Sequence, residues 1–268
     1  LTVLHKHTPT QNNLVTLNEY DGYARPTKEW LPIAVDINNL TKDGFKEVAV
    51  QFHSNDSRPF VEQRYGTTAW ANGIIKNELI GTQKAGNDMG TRRIGFVSRG
   101  NKSDEVKLFQ VTLHGDLEYK GFYDEHALYV KETTDEDGSI KCIYTNLRNQ
   151  IVMEKSGDAT TYYVYNNLNQ LCYVLPPLAV AQLEYGTYGN AADCLKKYAY
   201  VYKYDDRGNQ IYKRLPGCEP VFMVYDITNT LTLSQTGNQR QRGTYWTVYK
   251  RDALRRIVYT SEVNIGHA

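Results

Sequence analysis

One phrase recurs along the second half of this chain: an aromatic residue, a short stretch rich in Asn, Asp and Gly, then an aliphatic residue six or seven positions on. It reads Tyr144-Thr-Asn-Leu-Arg-Asn-Gln-Ile151, Tyr165-Asn-Asn-Leu-Asn-Gln-Leu171, Tyr204-Asp205-Asp-Arg-Gly208-Asn209-Gln-Ile211 and Tyr225-Asp226-Ile-Thr-Asn-Thr-Leu231. With Arg in the aromatic place, Arg251-Asp252-Ala-Leu-Arg-Arg-Ile257 closes the series. Two pairs of copies lie 21 residues apart, Tyr144 to Tyr165 and Tyr204 to Tyr225. Tyr20-Asp21-Gly-Tyr-Ala-Arg-Pro26 and Thr134-Asp135-Glu-Asp-Gly-Ser-Ile140 are upstream outliers of the same form. Self-similarity at a fixed period is the mark of a repeat architecture. Asn, Asp and Gly accept positive φ or cap their own turns, and the flanking residues suit strands. Each copy therefore predicts a hairpin, with the Tyr ending one strand and the aliphatic residue starting the return. A lone hairpin is marginal in water, so the copies must stack edge to edge.

Period-2 alternation supports strands elsewhere. Val48, Val50 and Phe52 fall on one predicted strand face, and Phe109, Val111 and Leu113 on another. The clearest run is Tyr198, Tyr200, Tyr202 and Tyr204, whose rings would project from one side with Ala199, Val201 and Lys203 on the other. Turn signals separate the runs at Asp135–Gly138, Ser156–Asp158, Asp206–Asn209 and Asn101-Lys102. Helix is scarce. Leu178–Tyr185 follows two prolines and stops at Gly186, and Ala191–Lys197 offers another turn or two. The expected fold is all-β: a hairpin ribbon or curved antiparallel sheet with one or two short helices inserted near 178–197.

The aromatic balance agrees, with 22 Tyr against 7 Phe and 3 Trp. Tyr suits a half-buried strand, apolar below and wet above. A Tyr-lined sheet face also makes a glycan- or protein-binding surface, which is the alternative functional reading. A formal charge of +1 argues against nucleic acid as a partner. No apolar run is long enough to span a bilayer as a helix. Residues near Leu1 show neither the charged nor the apolar region of a signal peptide.

The tracts Tyr202–Cys218, Val224-Tyr-Asp226, Gln235–Arg240 and Tyr249–Ile257 resemble the RHS/YD-repeat family, in the form found in Bacteroidetes RHS proteins. Tyr20–Pro32 and Asp56–Tyr65 resemble the region that precedes the repeats there. The resemblance implies an N-terminal β-rich domain over 1–125 and a YD-repeat hairpin ribbon over 126–268, interrupted at about 176–197. It further implies a non-catalytic structural segment on or outside a bacterial cell, part of a β-shell or of a polymorphic-toxin delivery protein. The partners expected are adjacent repeats or chains joined through open strand edges.

Enzymatic signatures are lacking: no His-Glu-x-x-His, Walker A or Gly-x-Ser-x-Gly motif occurs, and no cofactor is expected. His5 and His7 would share a strand face, but a polar terminal segment explains them as well. Asp135-Glu-Asp137-Gly138 has Asn146 where a calcium loop needs its final Glu, so a turn is the better reading. Asp205 and Asp206 read as turn caps rather than as an acid–base pair. Among Cys142, Cys172, Cys194 and Cys218, hairpin register places Cys194 near Cys218 as a candidate bridge. Cys142 and Cys172 would stand ~14 Å apart across the strands, too far to bond.

Overall fold

The computed structural model describes residues 2–4, 12–35, 41–53, 56–66, 75–81, 83–84, 93–135, 137–183, 186–189 and 192–266. Among the described residues strands predominate and helices are few and short, so the fold is all-β. The chain divides into two compact units, Leu1–Gly100 with Val130–Cys142, and Asn101–Tyr129 with Ile143–Ala268. This differs from one cut near residue 125, because residues 101–129 pack with the later hairpins.

In the first unit, strands Asn18–Tyr20, Pro26–Trp30, Phe60–Tyr65, Ile75–Ile80 and Arg93–Gly100 lie side by side, each antiparallel to the next. Its core gathers Val15, Leu17, Trp30, Ile33, Phe45 and Ala49. Two of these come from helix Lys42–Phe52, which starts where the Thr41 hydroxyl accepts the Gly44 N–H. The period-2 reading of Val48, Val50 and Phe52 as a strand is therefore corrected. Phe45 and Ala49 recur at helical spacing and carry the burial, while Val50 and Phe52 face solvent.

In the second unit, nine strands run as a ribbon: Ile151–Ser156, Ala159–Tyr165, Leu171–Leu175, Tyr200–Tyr204, Gln210–Arg214, Val221–Tyr225, Leu231–Gln235, Tyr245–Arg251 and Ile257–Asn264. Helices Pro177–Val180 and Asp193–Tyr198 interrupt it after Leu175. The first is shorter than expected, and Tyr185 and Ala191 lie outside the described residues. A further helix, Gly237–Gln241, opens with a capping box formed by Thr236 and Gln239.

The two ribbon faces differ. Val164, Tyr173 and Val201 sit opposite one another and are buried, whereas Tyr163, Val174 and Tyr200 form the neighbouring set on the open face. Tyr200, Tyr202 and Tyr204 do share that face, but Tyr198 belongs to the preceding helix. A separate hairpin, Lys107–Val111 with Leu117–Phe122, covers the buried face. Phe109 meets the Tyr162 ring at 5.1 Å, and the Tyr173 hydroxyl donates to the Gly115 carbonyl at 2.6 Å. Leu113 is 96% exposed because it stands in the turn of this hairpin, beyond the strand that holds Phe109 and Val111.

Candidate functional site: the turn row and the tyrosine face

Among the described residues, seven turns share one hydrogen-bond pattern, and each begins at an Asp or Asn: Asp21, Asp135, Asn146, Asn166, Asp205, Asp226 and Asp252. In each, the N–H groups two and four residues on donate to the same side-chain oxygen at 2.8–3.0 Å. The backbone N–H of the first residue donates to the carbonyl four on, and the N–H three on donates back. The residue three on takes positive φ: Ala24, Gly138, Asn149, Asn169, Gly208, Asn229 and Arg255. The short polar side chain thus satisfies two amides that the tight turn would leave open.

A second irregularity follows. After five of the turns, one extra residue bulges from the returning strand, at Thr27, Cys172, Ile211, Thr232 and Val258. Each lies six residues after its Asp or Asn. Bulges strengthen local twist, so these five hairpins bend in the same place.

The tyrosine before the turn works between hairpins. Tyr165, Tyr204 and Tyr225 each end a strand, and their hydroxyls donate to the carbonyls of Ile151, Leu171 and Gln210. Each acceptor is the fifth residue after the previous Asp or Asn. Tyr65 makes the same bond to Pro26 in the first unit. Turns are also tied to turns: Arg148 donates to Asn169, Arg207 to the Asp226 carbonyl at 3.1 Å, and the Asn209 amide to Asn229 at 3.0 Å. Tyr20 occupies the same place before Asp21 but is 59% exposed.

Tyr144 does not occupy it. Strand Ile140–Thr145 ends at Thr145, and Asn146 starts the turn, so the aromatic alignment is one residue out of phase there. Tyr144 is buried instead, its hydroxyl donating to Glu105 at 2.8 Å. The Asp or Asn, rather than the aromatic, fixes the phase. One turn escaped the sequence reading: at Thr112–Asp116 a threonine hydroxyl replaces the carboxylate or amide and accepts the Asp116 N–H at 3.1 Å.

All four cysteines are free thiols, so the candidate bridge between Cys194 and Cys218 is not formed in the structure. The Gly217 N–H donates to the Lys196 carbonyl at 2.9 Å, so their segments touch. A cleft of about 780 Å³ opens there, lined by Asp193, Lys196, Lys197, Tyr212, Arg214 and Cys218 among others. His5 and His7 lie outside the described residues.

On the open face, Tyr163 and Tyr165 form one row and Tyr200, Tyr202 and Tyr204 another, all half-buried. Leu171 and Val174 lie on the strand between. Burial raises the pKa of Tyr163, Tyr165, Tyr202 and Tyr204, which keeps them neutral donors. Among the described residues, the hydroxyls of Tyr163 and Tyr202 carry no hydrogen bond.

Four of the turn carboxylates, Asp21, Asp205, Asp226 and Asp252, are held below their usual range. The cause is first the Arg25 backbone N–H for Asp21, the Asn209 side chain for Asp205, the Thr228 hydroxyl for Asp226 and the Arg256 N–H for Asp252. A carboxylate with a lowered folded pKa stabilises above its unfolded pKa, and that contribution is lost as pH falls toward the folded value. Asn146 and Asn166 do not titrate. On acidification the amide resonances of Asn209, Thr230 and Arg256 should move through the carboxylate range, while those of Gln150 and Gln170 stay. Equal shifts at both sets in an NMR pH titration would contradict this.

No family model matches the chain, and no curated protein does. Solved structures do. It is similar to a crystal structure of TcdB2-TccC3-TEV at 10% identity and a TM-score of 0.39, covering 97% of this chain and 13% of that one. For TcdB2-TccC3-Cdc42 the identity is 11% and the TM-score 0.38, over 97% and 13%. For TcdB2-TccC3 they are 10% and 0.33, over 96% and 17%. The chain thus spans 13–17% of the length of these structures.

Proposed function

We propose that this chain is a non-catalytic structural segment: a hairpin ribbon of an RHS/YD-repeat surface or secreted bacterial protein, forming part of a β-shell or a polymorphic-toxin delivery protein. The observation that supports this most is the bond from the pre-turn tyrosines Tyr165, Tyr204 and Tyr225 to the preceding hairpin. Tyr165, Tyr204 and Tyr225 serve the junctions between successive hairpins, and so do the turn-to-turn bonds. A chain built to hold a reaction site needs convergent groups in one place. Here the same few groups are repeated along a line, which suits a wall.

Interchangeable hairpins make a test. Excising Asp205–Tyr225 joins Tyr204 directly to Asp226 and restores the tyrosine–turn phrase. In a repeat array, stability is close to a sum of units and their interfaces. The shortened protein should therefore fold cooperatively, with the strand signature of the parent in circular dichroism. An unfolded product would contradict the structural reading, because it would mean that one hairpin is indispensable to a unique core.

A second reading rests on the open face. The two tyrosine rows, with the Tyr163 and Tyr202 hydroxyls uncommitted, present rings and donors to a glycan or protein ligand. A glycan array is the direct check. Binding that disappears in Tyr163→Ala and Tyr202→Ala would favour this reading, and an array without a hit would dismiss the glycan form of it.

A further inference from the structure

The hairpin that covers the ribbon leaves a gap along the turn row. Between strand Lys107–Val111 and the turns at Asn146 and Asn166 lies a cavity of about 460 Å³, a size in the range of small-molecule sites. A second cavity of about 500 Å³ shares Val111, Asn166 and Asn167 with it, so the two adjoin as one groove. Three amides of the first cavity serve the turns. Asn146 and Asn166 donate to the side-chain oxygens of Gln150 and Gln170 at 2.9 and 2.7 Å, and Gln150 donates to the Asn169 carbonyl at 3.3 Å. Other polar groups on its wall are uncommitted. Among the described residues, the side-chain amides of Gln110 and Asn167, the Asn169 side-chain nitrogen and the Tyr123 hydroxyl carry no hydrogen bond. Tyr123 is the most informative of them. It is half-buried just after strand Leu117–Phe122, and burial alone pushes its pKa up. Its hydroxyl has given up water without gaining a partner inside the protein, a state that a hydrogen-bonding ligand relieves.

We propose that this groove binds a neutral oligosaccharide, one sugar ring entering the first cavity with its hydroxyls on Tyr123, Gln110, Asn167 and Asn169. The lining selects the charge. Among the described residues Arg148 is its one charged side chain, and the guanidinium already donates to Asn169. An anion would lack a second cation there, and a cation would lack any carboxylate. A sugar hydroxyl both gives and accepts, and so do a phenol and a side-chain amide. An apolar ligand would strip water from those groups and leave them unsatisfied. The adjoining cavity carries the opposite charges of Lys203 and Asp206, so a chain of neutral rings can continue into it.

A peptide strand fits less well. It would need the free edge of Lys107–Val111 as its ladder. That edge begins against the ribbon: the Lys107 N–H already donates to the Tyr162 hydroxyl at 3.3 Å, and the Phe109 ring meets the same tyrosine at 5.1 Å. Tyr200, which belongs to the open-face rows, lines neither cavity and so serves as a control.

The test is a titration of the whole chain, followed through its side-chain amide resonances, with linear oligosaccharides of glucose, xylose, mannose, galactose and N-acetylglucosamine. At least one of them should shift the signals of Gln110, Asn167 and Asn169. Tyr123→Phe keeps the ring and should weaken binding about fivefold, the effect of one net hydrogen bond. Asn167→Ala should weaken it by a similar factor, and Tyr200→Ala should leave it unchanged. All three variants should keep the circular dichroism spectrum of wild type. Signals that stay fixed with every saccharide would overturn the proposal. So would binding that ignores Tyr123→Phe and is lost in Tyr200→Ala, which would place the ligand on the open face. A response to tetraalanine and to no saccharide would assign the groove to peptides and overturn it equally.

Discussion

Replacing Asn101 by Asp should destabilise the protein by about 3 kcal/mol or more, although only one atom type changes. Asn101 is fully buried. Its side-chain oxygen accepts the Leu128 N–H at 2.8 Å, and its amide donates to the carbonyls of Lys102 and Asp124 at 3.1 and 2.9 Å. Its backbone adds bonds to Leu128 and His126. The carboxylate keeps the first bond but turns an oxygen toward two carbonyls inside the protein. A buried charge facing acceptors has no compensation. Asn101→Ala should cost less at neutral pH than Asn101→Asp. The Asp variant should recover part of its loss on acidification, when its protonated oxygen can donate to one of the two carbonyls. Urea unfolding at two pH values checks both statements, and an Asp variant as stable as wild type at neutral pH would refute them.

The second large effect concerns the hairpin that covers the ribbon. Tyr173 is 1% exposed, fills the space beneath the Thr112 turn and holds it through the Gly115 carbonyl. Tyr173→Ala should cost about 3–5 kcal/mol, as for other buried aromatic truncations. Tyr173→Phe should cost about 1 kcal/mol, because it removes the hydrogen bond and keeps the ring. The alanine variant should also speed hydrogen exchange across Leu117–Phe122 before it affects Val221–Tyr225. A loss below about 1 kcal/mol for alanine would mean that the covering hairpin contributes little to the stability of the unit.

Much of this architecture was legible in residue types. Asp and Asn followed by Gly or Asn three residues later mark the turns at Asp135, Asn146, Asn166, Asp205 and Asp226, because few residues tolerate positive φ. Ala24 and Arg255 take that conformation without such a signal, and their turns were found only through the Tyr20-Asp21 and Asp252 phrases. The phase of Tyr144 was misread because aromatics serve two purposes here. Tyr165, Tyr204 and Tyr225 tie hairpins together, whereas Tyr144, Tyr162 and Tyr173 are buried and meet the segment that contains the covering hairpin. Composition does not separate the two sets; position relative to the Asp or Asn does.

The helix at Lys42–Phe52 was missed for a related reason. Alternate apolar residues within a short window satisfy a strand pattern and part of a helical one, and only the inclusion of Phe45 resolves them. The bulges six residues after five of the turn-starting Asp and Asn residues leave no mark in sequence. Cys172, Ile211, Thr232 and Val258 share no chemistry beyond tolerance of a strand. The regularity is carried by the turn, which fixes the register of everything after it.

The recurring phrases are consecutive hairpins of one ribbon, joined edge to edge. Nuclear Overhauser contacts between backbone protons at three junctions address this arrangement most directly. Contacts are expected from Tyr173 to Val201, from Tyr212 to Phe222 and from Leu233 to Val248, as strong as those within the hairpins. Hairpins that show their internal contacts but none of these three would contradict it.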